Sequence, residues 1–407
     1  MGIVKKSFVC PYCFEENDLY KIKFRCQNDP VKCAPVADEV YGDFRGSSSP
    51  PMMPRVFEIP NASGNMASVK DYVKFKLPKQ LPCPSCKENS QLRVCPHCHS
   101  ELPYTIGDYK DLTIAVIGAK EAGKSHYVAV LIRQIKHYLG RLFNANLQPI
   151  NDETINRYRE DFYNPVYRNR EVISATRSAR AQFDTRVPLV YTFSFMKKNF
   201  LGKSKISNVS TLTFFDTAGE DLDSEELMRT ENKYIYNSQG IILLIDPLQI
   251  SEIRHELEGA GVSLPQQNTE SEDIISRVAN LVRKAKGLRV DKPIDIPIAI
   301  AFSKIDAIRK IVSPNSPLTK GSSHEGFFNI DDFVSLNTEV SSLLEKKADS
   351  PILQQVKHNF STYAFFGLSA LGTNPHGSGK IAKVRPLRVE DPFLWLLHHH
   401  KLIKGKS

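Results

Sequence analysis

The sequence predicts an α/β protein: a mostly parallel six-stranded sheet flanked by helices, preceded by a small cysteine-rich domain. Three observations carry this. From Leu112 onward, short apolar runs alternate with stretches of helical apolar spacing, the signature of strands joined by crossover helices. A glycine-bounded loop joins the first such strand to the first such helix. All eight cysteines fall within the first 98 residues.

The strands are read in order. Leu112–Ile117 is a buried strand, followed by a helix over Ser125–Tyr138 with apolar residues at Val128, Leu131, Ile132 and Ile135. Val187–Phe195 and Val209–Phe215 read as two strands of a hairpin around the basic stretch Lys197–Lys205, and Ile241–Ile245, Ile296–Phe302 and Tyr363–Leu368 complete the six. Further helices are expected over Glu272–Leu288 and Ile330–Lys346, and at the C-terminus, with Asp391 as cap and Pro392 in the first turn. Asn144–Arg186 is polar and rich in Arg and Tyr, and reads as a helical insertion.

At 407 residues, with 41% apolar and 24% charged residues, two globular domains are expected. The boundary is placed at 107/108, with a flexible insertion at 45–80, where Gly, Ser, Pro and Asn leave little to bury. No apolar run reaches the length of a membrane-spanning helix, and the first residues lack the apolar stretch of a signal peptide, so a cytoplasmic protein is expected. The net charge of +9 comes from Lys and Arg scattered over the whole length, which reads as a solvated basic surface; a nucleic-acid partner is a candidate but not the favoured one.

Cysteines confined to one end, six of them in Cys-x-x-Cys pairs, point to metal knuckles in a reducing compartment rather than to disulfides. Cys83-x2-Cys86-x8-Cys95-x2-Cys98 resembles a zinc ribbon, and Cys10, Cys13, Cys26 and Cys33 supply a second set of four. Two zinc ions are expected. Which pairs share an ion is open between sequential and crossed arrangements, with His97 and His99 as further candidate ligands.

Gly118-Ala119-Lys120-Glu121-Ala122-Gly123-Lys124-Ser125 fits G-x-x-x-x-G-K-[ST] between strand and helix. Its backbone N–H groups and the helix N-terminus suit a phosphate, Lys124 the β- and γ-phosphates, and Ser125 a Mg²⁺ ion. Asp216-Thr217-Ala218-Gly219-Glu220 ends a strand, where Asp216 suits a Mg²⁺ water and the Gly219 N–H the γ-phosphate. Ser303-Lys304-Ile305-Asp306 follows another strand: Asp306 can accept two hydrogen bonds from a guanine edge, and Lys304 can lie along the base. Ser369-Ala370-Leu371 can offer backbone donors to the guanine oxygen. In this order each motif closes a strand, so all four would line one edge of one sheet.

On these motifs the segment from Asp108 onward resembles the TRAFAC-class, Ras-like small GTPases, and the whole chain resembles bacterial double-GTPase proteins of conflict or defence systems. The resemblance implies a GTP/GDP-binding switch that hydrolyses GTP, with Mg²⁺, a protein effector or activator, and a second GTPase among the candidate partners. Three departures bear on this. Ser303 replaces the usual Asn or Thr. Glu220 stands where Ras has a water-positioning Gln, so hydrolysis is expected to be slow or partner-dependent. Lys120 stands where Ras has Gly. The Mg²⁺-binding switch threonine implied by the family is assigned to Thr176, with Thr185 second. A protein that binds nucleotide and hardly hydrolyses it, a zinc-ribbon protein acting on nucleic acid, and a P-loop ATPase are the alternatives.

Overall fold

The computed structural model describes residues 7–60, 75–119, 121–173, 187–198, 204–216, 232–259, 264, 271–347, 351–373 and 379–407. The chain forms two compact units: Met1–Asp111 with Val209–Leu212, and Leu112–Asn208 with Thr213–Ser407.

In the smaller unit, Lys23–Arg25 is the middle of a three-stranded antiparallel sheet between Val56–Glu58 and Leu92–Val94. Phe24, wholly buried, stacks on Phe57. Arg25 is buried too, and donates to the Asp38 carboxylate at 3.0 Å and to the His99 carbonyl at 2.9 Å. The stretch expected to be a flexible insertion contributes strands: Met52–Met53 pairs with Val36–Ala37, and Val56–Glu58 with Lys23–Arg25. Phe57 is the one aromatic among these strand residues and anchors them, a lone signal in a Ser/Pro-rich background.

The larger unit is built on a sheet of seven strands: β1 (Lys110–Gly118), β2 (Ala145–Pro149), β3 (Leu189–Lys198), β4 (Ser204–Asp216), β5 (Gly240–Ile245), β6 (Ile298–Phe302) and β7 (Tyr363–Gly367), in the order β2-β3-β4-β1-β5-β6-β7. β1, β5, β6 and β7 run parallel, with Gly118 opposite Leu244, Ile245 opposite Phe302, and Phe302 opposite Gly367. Every residue of β5 and β6 is buried, as expected of strands covered on both faces.

The seventh strand corrects the sequence reading. β2 lies at the sheet edge, antiparallel to β3, inside the stretch read as helical, so the sheet is mixed. Ala-Asn-Leu-Gln-Pro buries only Leu147, and edge strands tolerate a terminal Pro, so its pattern is too weak to stand out. The rest of that stretch is helical, as expected. Asn151 caps α2 (Asp152–Arg157) by accepting the Thr154 N–H at 2.9 Å. The winding then widens to i→i+5 over Tyr158–Asn169, burying Tyr158, Phe162 and Val166. This face packs on α1 (Lys124–Gln134): the Tyr158 hydroxyl donates to the Ala129 carbonyl, and the Arg133 guanidinium lies 4.3 Å from the Tyr167 ring centre.

Four other helices, α3 (Ser251–Gly259), α4 (Ser271–Lys286), α5 (Ile330–Lys347) and α6 (Pro351–Asn359), present apolar stripes such as Leu336, Val340 and Leu344 at i, i+4, i+8. The last, α7 (Asp391–His399), does not begin as expected: Glu390 is the cap residue, and Asp391 lies in the first turn with its carboxylate on Arg388. Leu396 of α7 comes so close to Gly240 that a Cβ there would lie 2.8 Å from it.

Candidate functional site

Three of the motifs read from sequence, the phosphate loop, Ser303–Asp306 and Ser369–Leu371, follow β1, β6 and β7, whose ends lie flush with that of β5 in the parallel register. Gly118 turns out of β1 at φ +156°, and a Cβ there would meet the Leu244 carbonyl oxygen at 2.4 Å, so the neighbouring strand itself requires glycine. Glu121 and Gly123 take left-handed φ of 63° and 87°, and Ala119 and Ala122 are buried within the loop. Lys124 and Ser125 open α1. The buried Lys124 ammonium donates to the Gly118 and Ala119 carbonyls at 3.0 Å each, which holds it over the loop.

The second cluster lies at the ends of β6 and β7. Ser303 is buried, and both its N–H and its hydroxyl donate to the Ile245 carbonyl, locking β6 to β5. Lys304 has φ 51°, and its ammonium reaches the Asp246 carboxylate at 2.6 Å. Asp306 accepts a hydrogen bond from the Ser369 hydroxyl, which in turn accepts the Gly372 N–H at 2.9 Å. The loop Ser369–Leu371 is held from behind: Ser369 and Leu387 exchange backbone hydrogen bonds, and the Arg385 N–H donates to the Leu371 carbonyl. Asp306 and Ser369, which are 63 residues apart, are thus in direct contact.

Lys120, Thr176, Thr185, Thr217, Ala218, Gly219 and Glu220 lie outside the described residues. So does the side chain of Asp216, whose backbone ends β4, the strand beside β1.

Two residues of this site, and a third, Arg388, that follows the Leu387 paired with Ser369, were passed over by sequence reasoning. Asp246, buried just past β5, holds Lys304 and also accepts the Leu248 N–H at 2.9 Å. Its signal was present, since an Asp follows the apolar run Ile241–Ile245. His126 follows Ser125, and its Nε2 accepts the Ile173 N–H at 3.0 Å. Burial, with the Lys304 charge adding, pushes this imidazole down to about 4, so it is a neutral acceptor at physiological pH. Arg388, fully enclosed, clamps Asp332 through both carboxylate oxygens and Asp391 through one, at 2.8 Å each, and donates to the Pro317 and Lys320 carbonyls. Nothing local in the sequence announces the last two.

His324 stands near Asp332 and Asp391 at metal-ligand spacing. The donor set does not fit a metal. His324 Nδ1 accepts the Asn329 N–H at 3.0 Å, which leaves the proton on Nε2, and Arg388 already occupies the carboxylates.

The cysteines form two tetrads, one nested inside the other along the chain. Cys10, Cys13, Cys95 and Cys98 share one site; Cys26, Cys33, Cys83 and Cys86 share the other. The ribbon-like run Cys83 to Cys98 is therefore split between sites, and the arrangement is neither sequential nor crossed but nested, the first pair with the last and the two inner sets together. Each Cys-Pro-x-Cys pair sits on the same turn. The residue four beyond the first Cys returns its N–H to that Cys carbonyl, and it takes a left-handed φ in all three cases: Phe14 56°, Lys87 65°, His99 51°. Sγ–Sγ distances are 3.8 and 3.7 Å in the first tetrad, 3.6 and 4.0 Å in the second. Four sulfurs about 2.3 Å from a central zinc stand roughly 3.8 Å apart, so the tetrads fit a tetrahedral zinc and are too open for disulfides. Burial raises the Cys10 thiol, so a thiolate there calls for a cation beside it. His99 is no ligand: its Nδ1 binds the Asp38 carboxylate at 2.7 Å. His97 lies outside both groups.

The profile of the Double-GTPase 2 family matches residues 112–373. The chain is 27% identical over 323 residues to the "Putative ESX-1 scaffolding and assembly protein SaeC" of Mycolicibacterium smegmatis, covering 75% of this chain and 79% of that one. Solved structures similar to it include the Arl6 BBS3 small GTPase from Trypanosoma brucei with a bound nucleotide analogue (TM-score 0.30, 11% identity, 72% of this chain and 100% of that one). Another is the S. cerevisiae Ski7 GTPase-like domain bound to GDP and phosphate (TM-score 0.29, 15% identity, 74% and 52%). These overlaps are too loose to bear on function, and the profile match alone, over well above half the chain, assigns the family. With the phosphate loop and the Asp306–Ser369 contact on one sheet edge, the chain belongs to the Double-GTPase 2 family of GTP-binding proteins.

Proposed function

We propose that the protein is a GTP-dependent switch whose two states are read by protein partners in an assembly process. The observation that carries the guanine reading is the contact of Asp306 with Ser369 beside the Lys304–Asp246 pair, because it holds a carboxylate at the end of the sheet from which Lys124 projects. In this reading Lys124 neutralises the β- and γ-phosphates, and Ser125 and Asp216 hold Mg²⁺ with Thr176 from the switch. Gly219 senses the γ-phosphate, and Ser369–Leu371 offer backbone donors to the guanine oxygen. Glu220 cannot orient the attacking water as an amide does, so turnover is slow until a partner supplies help. The likeness to SaeC favours an assembly or secretion setting over a conflict system, with proteins as partners. No helix among the described residues is long and apolar enough to cross a membrane.

Each cysteine tetrad holds one zinc in this reading. Both are closed four-sulfur sets with no position left for substrate, so the metal serves the fold rather than a reaction.

The test is titration of the zinc-loaded protein with fluorescent GTP and ATP analogues in Mg²⁺, alongside Lys124→Ala. Guanine preference lost in the variant supports the reading; equal affinity for both bases removes Asp306 and Ser369 from it.

A further inference from the structure

The end of the helical insertion makes contacts that the nucleotide reading does not use. After Asn169 the chain reverses at Arg170, which takes a left-handed φ of 57°, and Arg170–Ile173 then runs extended past two distant elements. On one side it pairs with Gly379–Ile381. The Val172 N–H donates to the Gly379 carbonyl at 2.9 Å, the Ile381 N–H to the Arg170 carbonyl at 2.8 Å, and Lys380 meets the Glu171 carboxylate at 2.6 Å. Gly379 suits this pairing: its φ is +74°, and a Cβ would press on Val172 at 3.2 Å. On the other side the Ile173 N–H is held by His126, one residue beyond the Ser125 of the phosphate loop.

The segment that follows Gly379–Ile381 is tied in turn to the base-side loop. Arg385 donates to the Leu371 carbonyl, and Leu387 exchanges two backbone bonds with Ser369. Gly372 lies so near the Arg385 carbonyl that a Cβ would overlap it at 1.8 Å, so this junction is tightly built. A path of hydrogen bonds, joined by the chain from Ile381 to Arg385, therefore runs from the first turn of α1 through Arg170–Ile173 and Gly379–Ile381 to Ser369 and Asp306.

We propose that Arg170–Ile173 is a strap that joins the phosphate end of the nucleotide site to its base end and sets how fast nucleotide leaves. The inference rests on the nucleotide reading above and deepens it. A ligand held at both ends departs only when one end moves away from the other, and the strap resists that separation. His126 is its positioning residue on the phosphate side; Glu171 and Lys380 are its adjustable fastening on the base side.

The experiment measures dissociation of a fluorescent GDP analogue, chased with excess GDP, from full-length protein in Mg²⁺. His126→Phe removes the acceptor and Gly379→Val disrupts the pairing; each is expected to speed release at least five-fold. His126→Gln, whose amide oxygen can replace the acceptor, keeps release slow. Lys380→Glu sets like charges together at a half-exposed site and speeds release about two- to five-fold. Glu171→Lys combined with Lys380→Glu restores the wild-type rate, and the single-variant effect fades at high salt. A merely structural role would lower the melting temperature of nucleotide-free protein without this pattern of rescue. Wild-type release rates in all variants would overturn the strap while leaving the nucleotide reading intact. A wild-type protein that binds no guanine nucleotide would overturn both.

Discussion

The nucleotide end of the sheet and the cysteine unit are both assembled from short motifs, yet they differ in how those motifs combine. At the sheet, each motif stands directly after its own strand, and parallel pairing brings consecutive strand ends side by side. Order along the chain is thus the order in space, except for the crossover that places β1 between β4 and β5. In the cysteine unit the motifs are equally plain, but the tetrads are nested. The pair that begins the unit closes on the pair that ends it, and the other two pairs meet inside that span. Short-range pattern identifies ligands in both regions; only in the first does it also say which ligands share a site.

The largest effect should come from breaking the nested pairing. Cys83→Ser together with Cys95→Ser removes one ligand from each tetrad and is expected to abolish both zincs, whereas Cys10→Ser with Cys95→Ser should cost one. Zinc content per chain by mass spectrometry checks this, and a remaining zinc in the first pair would restore the sequential arrangement. Since a structural zinc supplies on the order of 10–16 kcal/mol of apparent binding energy, loss of either site should unfold the unit around it.

The second effect tests how far the nucleotide end is truly local. Arg388→Met leaves the Asp332 and Asp391 carboxylates without the guanidinium that now pairs them, and it releases the segment that backs Ser369. Removing one partner of a buried ion network costs about 3–5 kcal/mol, read as a lowered urea midpoint. A change below about 1 kcal/mol would mean that water replaces the arginine and that the loop stands on its own motif.

A third, smaller change isolates base recognition. Asp306→Ala is expected to reduce the preference for guanine over adenine by roughly ten-fold or more, since a bidentate base contact is worth about 1–3 kcal/mol. Competition of GTP and ATP for the same labelled ligand measures it. Unchanged preference would assign specificity to the backbone of Ser369–Leu371.

These contrasts also explain what was legible. The phosphate loop could be read because Gly118 and Gly123, both at positive φ, stand at fixed spacing before Lys124 between an apolar strand and a helix. β5 and β6 could be read because burial on both faces leaves an unbroken apolar run. β2 could not, because a single buried leucine between polar residues at an edge has no such signature. Arg388 and His126 escaped for a further reason. Their partners lie 56 and 47 residues away, and an arginine or histidine carries no mark of a contact made over that distance. The Asp391 cap was misread for a different reason: its carboxylate is claimed by Arg388, three residues before it, instead of the helix N-terminus.

The smallest effect follows from His126. Its imidazole titrates at about 4 in the folded protein, against roughly 6.5 in an unfolded chain, so above pH 6.5 neither state holds the proton and the group adds no pH dependence. As pH falls through the window from 6.5 to 4, the unfolded chain takes up a proton that the folded chain refuses, and stability declines. Below 4 both states are protonated and the decline from this group ends. Urea unfolding at pH 7 and pH 5 should therefore show a larger loss in wild type than in His126→Phe, whose position 126 cannot titrate. The comparison between chains cancels the contribution of the cysteine sites, which they share. Equal losses would mean that the imidazole is protonated in the folded state. Such a ring could not accept the Ile173 N–H, and the link between the phosphate loop and the insertion would have to rest on packing alone.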